Sequence, residues 1–474
     1  MSIELKIRPL NLDEIARAVQ GSLVKTAQSP RPVRYISTDS RDTGEDILFF
    51  ALRGERFDGH TFAATAVKGG ATCLICSTLP EDVKALDCTV ILVEDTTRAL
   101  GALASYYRSL ADVCLVAVTG SVGKTTTKEF IYSVLSETYP THKTEGNFNN
   151  HIGLPLTLFA LAPHHRAAVL EMGMSARGEI AYLTRLARPA VAVITNVGTS
   201  HLEHLGTREN IAEAKMEIIE GLSHDGLLLI NGDEPLLQPA CARFPRVKTF
   251  SRTNSAADFS AAKEILCADS VSYELTEQGK ASIPVRLPVP GAHNVYNSLV
   301  AYAVGRQLGM EDDAICRGLL RFRGAAMRQN VYSVGGIRII EDCYNASPES
   351  MRASIDVLTA MERAEGGRYA ALLGDMLELG ERSAEYHVAV GEYAAQHGVE
   401  LLFAYGDRAE DLARGAGAGG LAPTAIHRQR DKNDPLSMAQ AILATLREND
   451  VLLVKASRGV AAENVLKHIK ELKK

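Results

Sequence analysis

Residues 119–126, Thr-Gly-Ser-Val-Gly-Lys-Thr-Thr, place two glycines, a lysine and four hydroxyls in eight positions. That combination suits phosphate chemistry. Gly120 and Gly123 let the backbone approach phosphate oxygens, and a helix starting here aims unpaired N–H groups at an anion. Lys124 reaches the outer phosphates, and the Thr125 hydroxyl suits Mg²⁺. The loop is a variant, because the usual pattern has glycine at 118 and this chain has Val118. A turn that merely joins strand to helix is the competing reading. The apolar strand in front and the Lys-Thr register argue against it.

Other groups carry potential chemistry. Glu171 closes an apolar run, where a carboxylate is costly unless it is paired or holds a metal. His201 and His204 fall in the Gly-flanked stretch 197–206, read as a loop. The metalloprotease pattern therefore does not apply, and an imidazole in a Mg²⁺ sphere is unusual. Lys215 shares a helical stripe with Ile211, Ile218 and Leu222. It snorkels or pairs with a carboxylate, or it is aimed into an active site, where chemical modification is an option. Asn294 and Asn297 share a face at a helix start, to hydrogen-bond a purine or to cap the helix. Ser37, Asp39, Ser40 and Arg41 cluster at a strand end, a set that suits a diphosphate, a sugar or a capped turn.

These groups need elements to position them. Apolar runs at 114–118, 168–170, 191–195 and 227–230 alternate with helical stretches, the signature of a parallel, doubly wound sheet. Ligands of such sheets bind at the carboxyl ends of the strands. Glu171, Thr195-Asn196 and Asn231-Gly-Asp233 stand there. Helices are expected over 125–138, 207–222 and from His293 to about 308, with a β-hairpin over 271–287. Residues 1–107 alternate short strands and helices as a small α/β domain. Strands at 337–341, 369–373, 401–404 and 451–454 predict a second parallel sheet, Rossmann-like but without a Gly-rich dinucleotide fingerprint. The run 415–420 is read as a flexible loop. The expected fold is α/β in three domains: a small N-terminal domain (1–107), a central P-loop-type doubly wound sheet (108–324) and a C-terminal Rossmann-like domain (325–474).

A chain of 474 residues is too long for one core. Its net charge of −6 argues against a nucleic-acid surface. Cys73 and Cys76 have C-x-x-C spacing but sit in an apolar run, so core thiols of a reduced protein are expected. The N-terminus has no apolar signal core and no stretch is long enough to span a bilayer, so a cytoplasmic location is expected.

Five motifs occur in order: Thr119-Gly-Ser-Val-Gly-Lys-Thr-Thr, Glu171-Met-Gly, Asn196-x-Gly-x-x-His201-Leu-Glu-His-Leu-Gly-Thr, Gly291-x-His-Asn-x-x-Asn297 and Asp342-x-Tyr-Asn-Ala-Ser-Pro348. As a set, covering nearly the whole chain, they resemble the Mur ligases of peptidoglycan synthesis. Tyr344-Asn-Ala-Ser-Pro, Leu373-Gly-Asp-Met-Leu-Glu-Leu-Gly380 and Lys455-Ala-Ser-Arg-Gly459 are similar to the branch that adds D-alanyl-D-alanine. The Asp-Asn-Pro-Arg signature of the diamino-acid-adding branch is absent. Ala456 departs from the pattern, which usually has glycine there.

The resemblance implies roles residue by residue. Thr119, Gly120, Ser121, Val122, Gly123, Lys124, Thr125 and Thr126 would bind ATP phosphates. Thr125 and Glu171 would hold one Mg²⁺ and His201 a second. Lys215 matches a family lysine that is often carbamylated, and Lys124, Glu171, His201 and Lys215 form the catalytic set. Asn150, or its neighbour Asn149, would lie near the phosphates. Asn294 and Asn297 would face adenine, Arg328 would reach phosphate from the third domain, and Asp342 would lie on the ribose side. Ser40 and Arg41 belong to the UDP-sugar site of the first domain, and Asn345, Asp375 and Arg458 to the dipeptide site.

The implied reaction activates the carboxylate of UDP-MurNAc-tripeptide as an acyl phosphate, which the amine of D-Ala-D-Ala then attacks. A monomer with no nucleic-acid partner and no membrane span is expected, opening and closing on hinges near 108 and 324. Two alternatives compete: another ATP-dependent amide ligase on the same scaffold, such as a folylpolyglutamate synthase or a sister Mur ligase, and a nucleotide switch that hydrolyses ATP without ligating. The switch has no use for Glu171, His201 and Lys215 together.

Overall fold

A computed structural model describes residues 2–54, 57–324 and 327–473. The chain folds around three sheets. In the first, strands Tyr35–Ser37, Ile47–Phe50, Ala71–Cys76 and Thr89–Leu92 run parallel, with Ile3–Glu4 and Ser22–Lys25 antiparallel at the two edges. The second has nine strands. Seven are parallel, and Val271–Glu277 and Ile283–Leu287 extend one side antiparallel, as the expected hairpin. The third has six strands, five of them parallel, with Asn330–Val334 antiparallel at one edge.

The parallel strands are near-continuous apolar runs because helices cover both of their faces. Strand Cys114–Thr119 shows this, with Val116 and Val118 facing one core and Leu115 and Ala117 the other. It lies between Ala167–Glu171 and Val191–Ile194, so Thr119, Glu171 and Thr195 end side by side. Cys73 and Cys76 are fully buried free thiols, as core packing requires.

Three expectations need correction. Most of the run at 415–420 is not a loop, for residues 415–418 end the helix Ala409–Ala418, packed on Ser383–Gln396, and only 419–420 turn out of it. A Cβ on Gly415 would lie 1.9 Å from the Val388 carbonyl oxygen, and one on Gly391 2.0 Å from that of Leu412. The glycines serve close helix approach. The helix expected over 207–222 stops at Met216 and continues as a 3₁₀ turn, Glu217–Glu220. The junction near 108 is not a hinge. Helix Thr96–Ser109 shares one core with the central domain: Tyr107 lies 5.9 Å from Phe159 between ring centroids and accepts a hydrogen bond from the Ile7 N–H at 2.7 Å. Ser105 and Arg108 donate to the Leu186 and Ala187 carbonyls at 3.0 and 2.9 Å. The third domain has cores of its own. The start of its connection, residues 325 and 326, lies outside the described residues.

Candidate active site

The phosphate loop joins strand Cys114–Thr119 to helix Lys124–Leu135. Gly123 caps the helix at φ 82°, and Gly120 has φ 152°. A Cβ on Gly120 would fall 1.9 Å from Thr195 Oγ1. The neighbouring strand end holds the loop in shape. Thr195 Oγ1 donates to the Val122 carbonyl at 2.8 Å. Asn196 donates to the same carbonyl and accepts from the Val122 N–H, both at 2.9 Å. Thr119 is buried and donates to the Met172 carbonyl at 3.0 Å. Lys124 Nζ donates to the Gly120 carbonyl at 2.7 Å, so the loop pre-orients its ammonium. Burial lowers its pKa and the nearby Glu171 opposes that shift.

Oxygen atoms converge at the helix start. Thr125 Oγ1 donates to Glu171 Oε2 at 2.8 Å, and Asn149 Nδ2 donates to Glu171 Oε1 at 2.9 Å. The Glu171 N–H donates to Thr144 Oγ1, and buried Lys128 donates to the Thr144 carbonyl at 2.7 Å. From the third domain, Arg328 Nη2 reaches Thr125 Oγ1 at 2.9 Å. Asn149, not Asn150, therefore touches the carboxylate. Asn150 instead accepts from the N–H groups of Ile152 and Gly153 at the start of helix Gly153–Phe159.

Lys215 sits in the last turn of Arg208–Met216 with only 1% of its surface exposed. Among the described residues it has no side-chain hydrogen bond or ion pair. Burial, helped by the charge of Lys124, pushes its pKa well below 10.5. His201 stands at the N-cap of a short helix, Leu202–Leu205, with φ 65°. His204 lies on that helix, which corrects the loop expectation for it. His201 Nδ1 is 2.5 Å from Glu378 Oε2 of the third domain, an approach whose angle falls outside hydrogen-bond geometry. The imidazole holds the Glu378 carboxyl below its usual range.

A cavity of about 1350 Å³ lies between the central and third domains. Ser121–Thr127, Asn294, Asn297, Arg328, Asp342 and Asn345 line it. Asn294 and Asn297 are largely committed to the protein. Asn297 accepts from Thr127 Oγ1 at 2.9 Å and donates to Asn294, which donates to the Pro290 carbonyl. Asp342 accepts from Lys455 Nζ at 2.7 Å and Ser354 Oγ at 2.6 Å. Arg328 lies 4.4 Å over the Tyr344 ring.

Other expected residues stand outside the cavity lining. The Asp375 carboxylate is buried and accepts the Asp407 and Arg408 N–H groups at 2.9 and 2.8 Å, so it ties a turn instead of facing a ligand. Arg458 pairs with Glu463 at 3.2 Å. In the first domain Ser40 is half-buried, and exposed Arg41 is ion-paired with Asp39 at 2.6 Å. Sequence reasoning gave no role to Glu378, Lys455, His293 or Glu349. His293, Glu378 and Lys455 occur in quoted motifs, Lys455 at the end of a strand and Glu378 shortly after one.

Three family models match the chain: the catalytic domain of the Mur ligase family over residues 32–108, the Mur ligase middle domain over 118–305, and the Mur ligase glutamate ligase domain over 327–458. The UDP-N-acetylmuramoyl-tripeptide–D-alanyl-D-alanine ligase of Bacillus subtilis is 38% identical over 463 residues, covering 96% of this chain and 97% of the relative. Its Escherichia coli counterpart is 34% identical over 92% of this chain and 93% of its own length. A crystal structure of MurF from Acinetobacter baumannii superposes with a TM-score of 0.88 at 31% identity, covering 98% of this chain and 99% of that one. MurF from Thermotoga maritima in complex with ADP gives 0.81 at 32% identity, covering 92% and 97%.

Proposed function

The chain belongs to the Mur ligase family, and we infer from that premise that it is an ATP-dependent ligase joining D-alanyl-D-alanine to UDP-N-acetylmuramoyl-tripeptide. The product is the UDP-MurNAc-pentapeptide precursor of peptidoglycan, with ADP and phosphate released. One observation carries the reading: Glu171 from the central sheet and Arg328 from the third domain meet on the same Thr125 hydroxyl. A phosphate site closed by two domains suits a reaction that must exclude water from an acyl phosphate.

A carboxylate is a poor electrophile at neutral pH. The tripeptide carboxylate attacks the ATP γ-phosphorus and ADP leaves; the dipeptide amine then attacks the acyl carbon and phosphate leaves. Positioning and electrostatics supply most of the acceleration. Lys124, fixed by the Gly120 carbonyl, faces the transferred group, with Thr119–Thr126 around the phosphates. Asn294, Asn297, Arg328 and Asp342 serve the nucleotide, Asn345 and Arg458 the dipeptide, and Ser40 and Arg41 the UDP-sugar.

Thr125 and Glu171 offer the hard oxygens that Mg²⁺ prefers, and His201 would serve a second ion. Among the described residues no group of three or more His, Cys, Asp or Glu side chains is placed to hold a metal. Phosphates and water would therefore complete the sphere, the usual state of Mg²⁺. Bound there, Mg²⁺ neutralises phosphate charge. Lys215 fits carbamylation: a desolvated, uncharged amine adds to CO₂, loses a proton and becomes an anion.

The working units are residues 1–107, 108–324 and 325–474. One chain supplies every residue named, so a monomer suffices. Among the described residues no helix is long and apolar enough to cross a membrane, and the ATP requirement supports a cytoplasmic location. The test is phosphate release from ATP and Mg²⁺ with UDP-MurNAc-tripeptide, with and without D-Ala-D-Ala, and mass analysis of the product. Release that needs the dipeptide and yields the pentapeptide is expected. Release that ignores the dipeptide, with no new amide, refutes the ligase.

A further inference from the structure

The third domain grips the central domain at a second place, beside the phosphate loop, where Ser200 Oγ donates to the Ser121 carbonyl at 3.4 Å. Its contact is with the short segment that carries His201. Glu349, at the start of helix Pro348–Ala360, accepts from the Thr199 N–H and Oγ1 at 3.1 and 3.2 Å. Two residues beyond Thr199, His201 Nδ1 lies 2.5 Å from Glu378 Oε2, and the Glu378 carbonyl accepts from the Glu203 N–H at 3.2 Å. His201 and Glu378 both have left-handed backbones, φ 65° and 62°. Non-glycine residues hold such conformations only where surrounding contacts fix them.

The Glu378 loop has a support of its own. Buried His387 donates from Nδ1 to the Ser383 carbonyl at 2.6 Å. That bond leaves Nε2 as an acceptor, and Nε2 takes the Met376 N–H at 2.9 Å. Burial lowers the pKa of the ring, against the bond to the Ser383 carbonyl and the charge of Asp375. The next N–H, of Leu377, donates to Ser457 Oγ at 3.0 Å. The loop therefore arrives at Glu378 with its preceding two amides pinned. His387 thus supports, through the Met376 N–H, the loop that carries Glu378.

We propose that Glu378 is a positioning residue for His201, coupling the docking of the third domain to the orientation of that imidazole, and that His387 holds Glu378 in reach from inside the third domain. The proposal rests on the ligase reading for its turnover assay. Outer partners of a ligating histidine are typically worth about 10–100-fold. In the full-length protein, Glu378→Gln is expected to lower kcat by that factor while KM for UDP-MurNAc-tripeptide stays within about twofold. His387→Leu, which leaves the Met376 N–H unpaired, is expected to give the same loss. His387→Gln, which keeps an acceptor for that N–H, is expected to stay within about threefold of wild type. Because the two residues act in series, the double variant Glu378→Gln/His387→Leu loses no more than either single variant.

Domain docking gives a readout independent of turnover. Solution scattering with ADP and Mg²⁺ is expected to show less compaction for Glu378→Gln than for wild type. Wild-type turnover in Glu378→Gln, additive losses in the double variant, or a His387→Gln protein as impaired as His387→Leu would each overturn the proposal. Should His387→Leu fail to fold, Glu378→Gln and His387→Gln still decide. If the wild-type protein forms no amide, the ligase reading fails, and scattering decides alone: compaction of Glu378→Gln equal to wild type then overturns the proposal.

Discussion

Replacing Gly120 by alanine tests the idea that the phosphate loop is shaped by the next strand end. The new Cβ would lie 1.9 Å from Thr195 Oγ1, 3.1 Å from Thr195 Cβ and 3.3 Å from the Thr195 nitrogen. Thr195 has little room to yield, because its hydroxyl donates to the Val122 carbonyl and its N–H to the Thr119 carbonyl. Three costs combine. The φ of 152° is a glycine region, worth about 1–3 kcal/mol for another residue. Overpacking adds about 1–3 kcal/mol, and breaking the Thr195 bond about 1 kcal/mol. The whole is on the order of 4 kcal/mol, or about a thousandfold in an equilibrium constant. It should fall on the nucleotide-competent loop, because the surrounding strands are independently buried. The assay is ADP binding by calorimetry beside thermal melting. Gly120→Ala is expected to lose ADP affinity steeply with a smaller loss of Tm. Thr195→Ala alone costs little, since Asn196 still holds the Val122 carbonyl. The double variant Gly120→Ala/Thr195→Ala removes the closest clash and should regain tenfold or more in affinity over Gly120→Ala. A double variant no better than the single one refutes the reasoning.

Three further outcomes are expected. Lys215→Met should abolish turnover yet, measured against wild type in CO₂-depleted buffer where the amine is unmodified, raise Tm at neutral pH. The folded amine has a depressed pKa, so the unfolded chain binds the extra proton below about 10.5 and unmodified Lys215 costs stability there; ¹³C-bicarbonate labelling should show a carbamate in wild type that Lys215→Met lacks. Burial holds His293 neutral to about pH 4. The unfolded chain takes up that proton first, so stability should fall as pH drops from about 6.5 toward 4, and urea titrations of His293→Asn should show a flatter slope over that window. Paired spin labels should report nucleotide-dependent distance changes between the central and third domains but none between the first and central domains. A change across residue 108 would contradict the shared core around Tyr107.

The sequence alone specified what depends on short-range pattern. Apolar runs bounded by polar residues gave the parallel strands, because burial on both faces demands unbroken hydrophobic stretches. Glycine spacing and Lys-Thr gave the phosphate loop, and strand-end position drew attention to Glu171 and Asn196. Tertiary structure decided everything that depends on which surfaces meet. Gly415 looked like a loop residue until the neighbouring helix explained why a side chain could not fit. Asn149 and Asn150 were equivalent in sequence, and only the fold turns one toward Glu171 and the other to a helix cap. Asp375 has the composition of a ligand and the bonds of a turn. The junction at 108 read as a hinge because domains are counted along the chain, whereas cores form in space. Glu378 and His201 stand 177 residues apart, and no local pattern could have joined them; it takes the docking of two domains to bring a carboxylate to that imidazole.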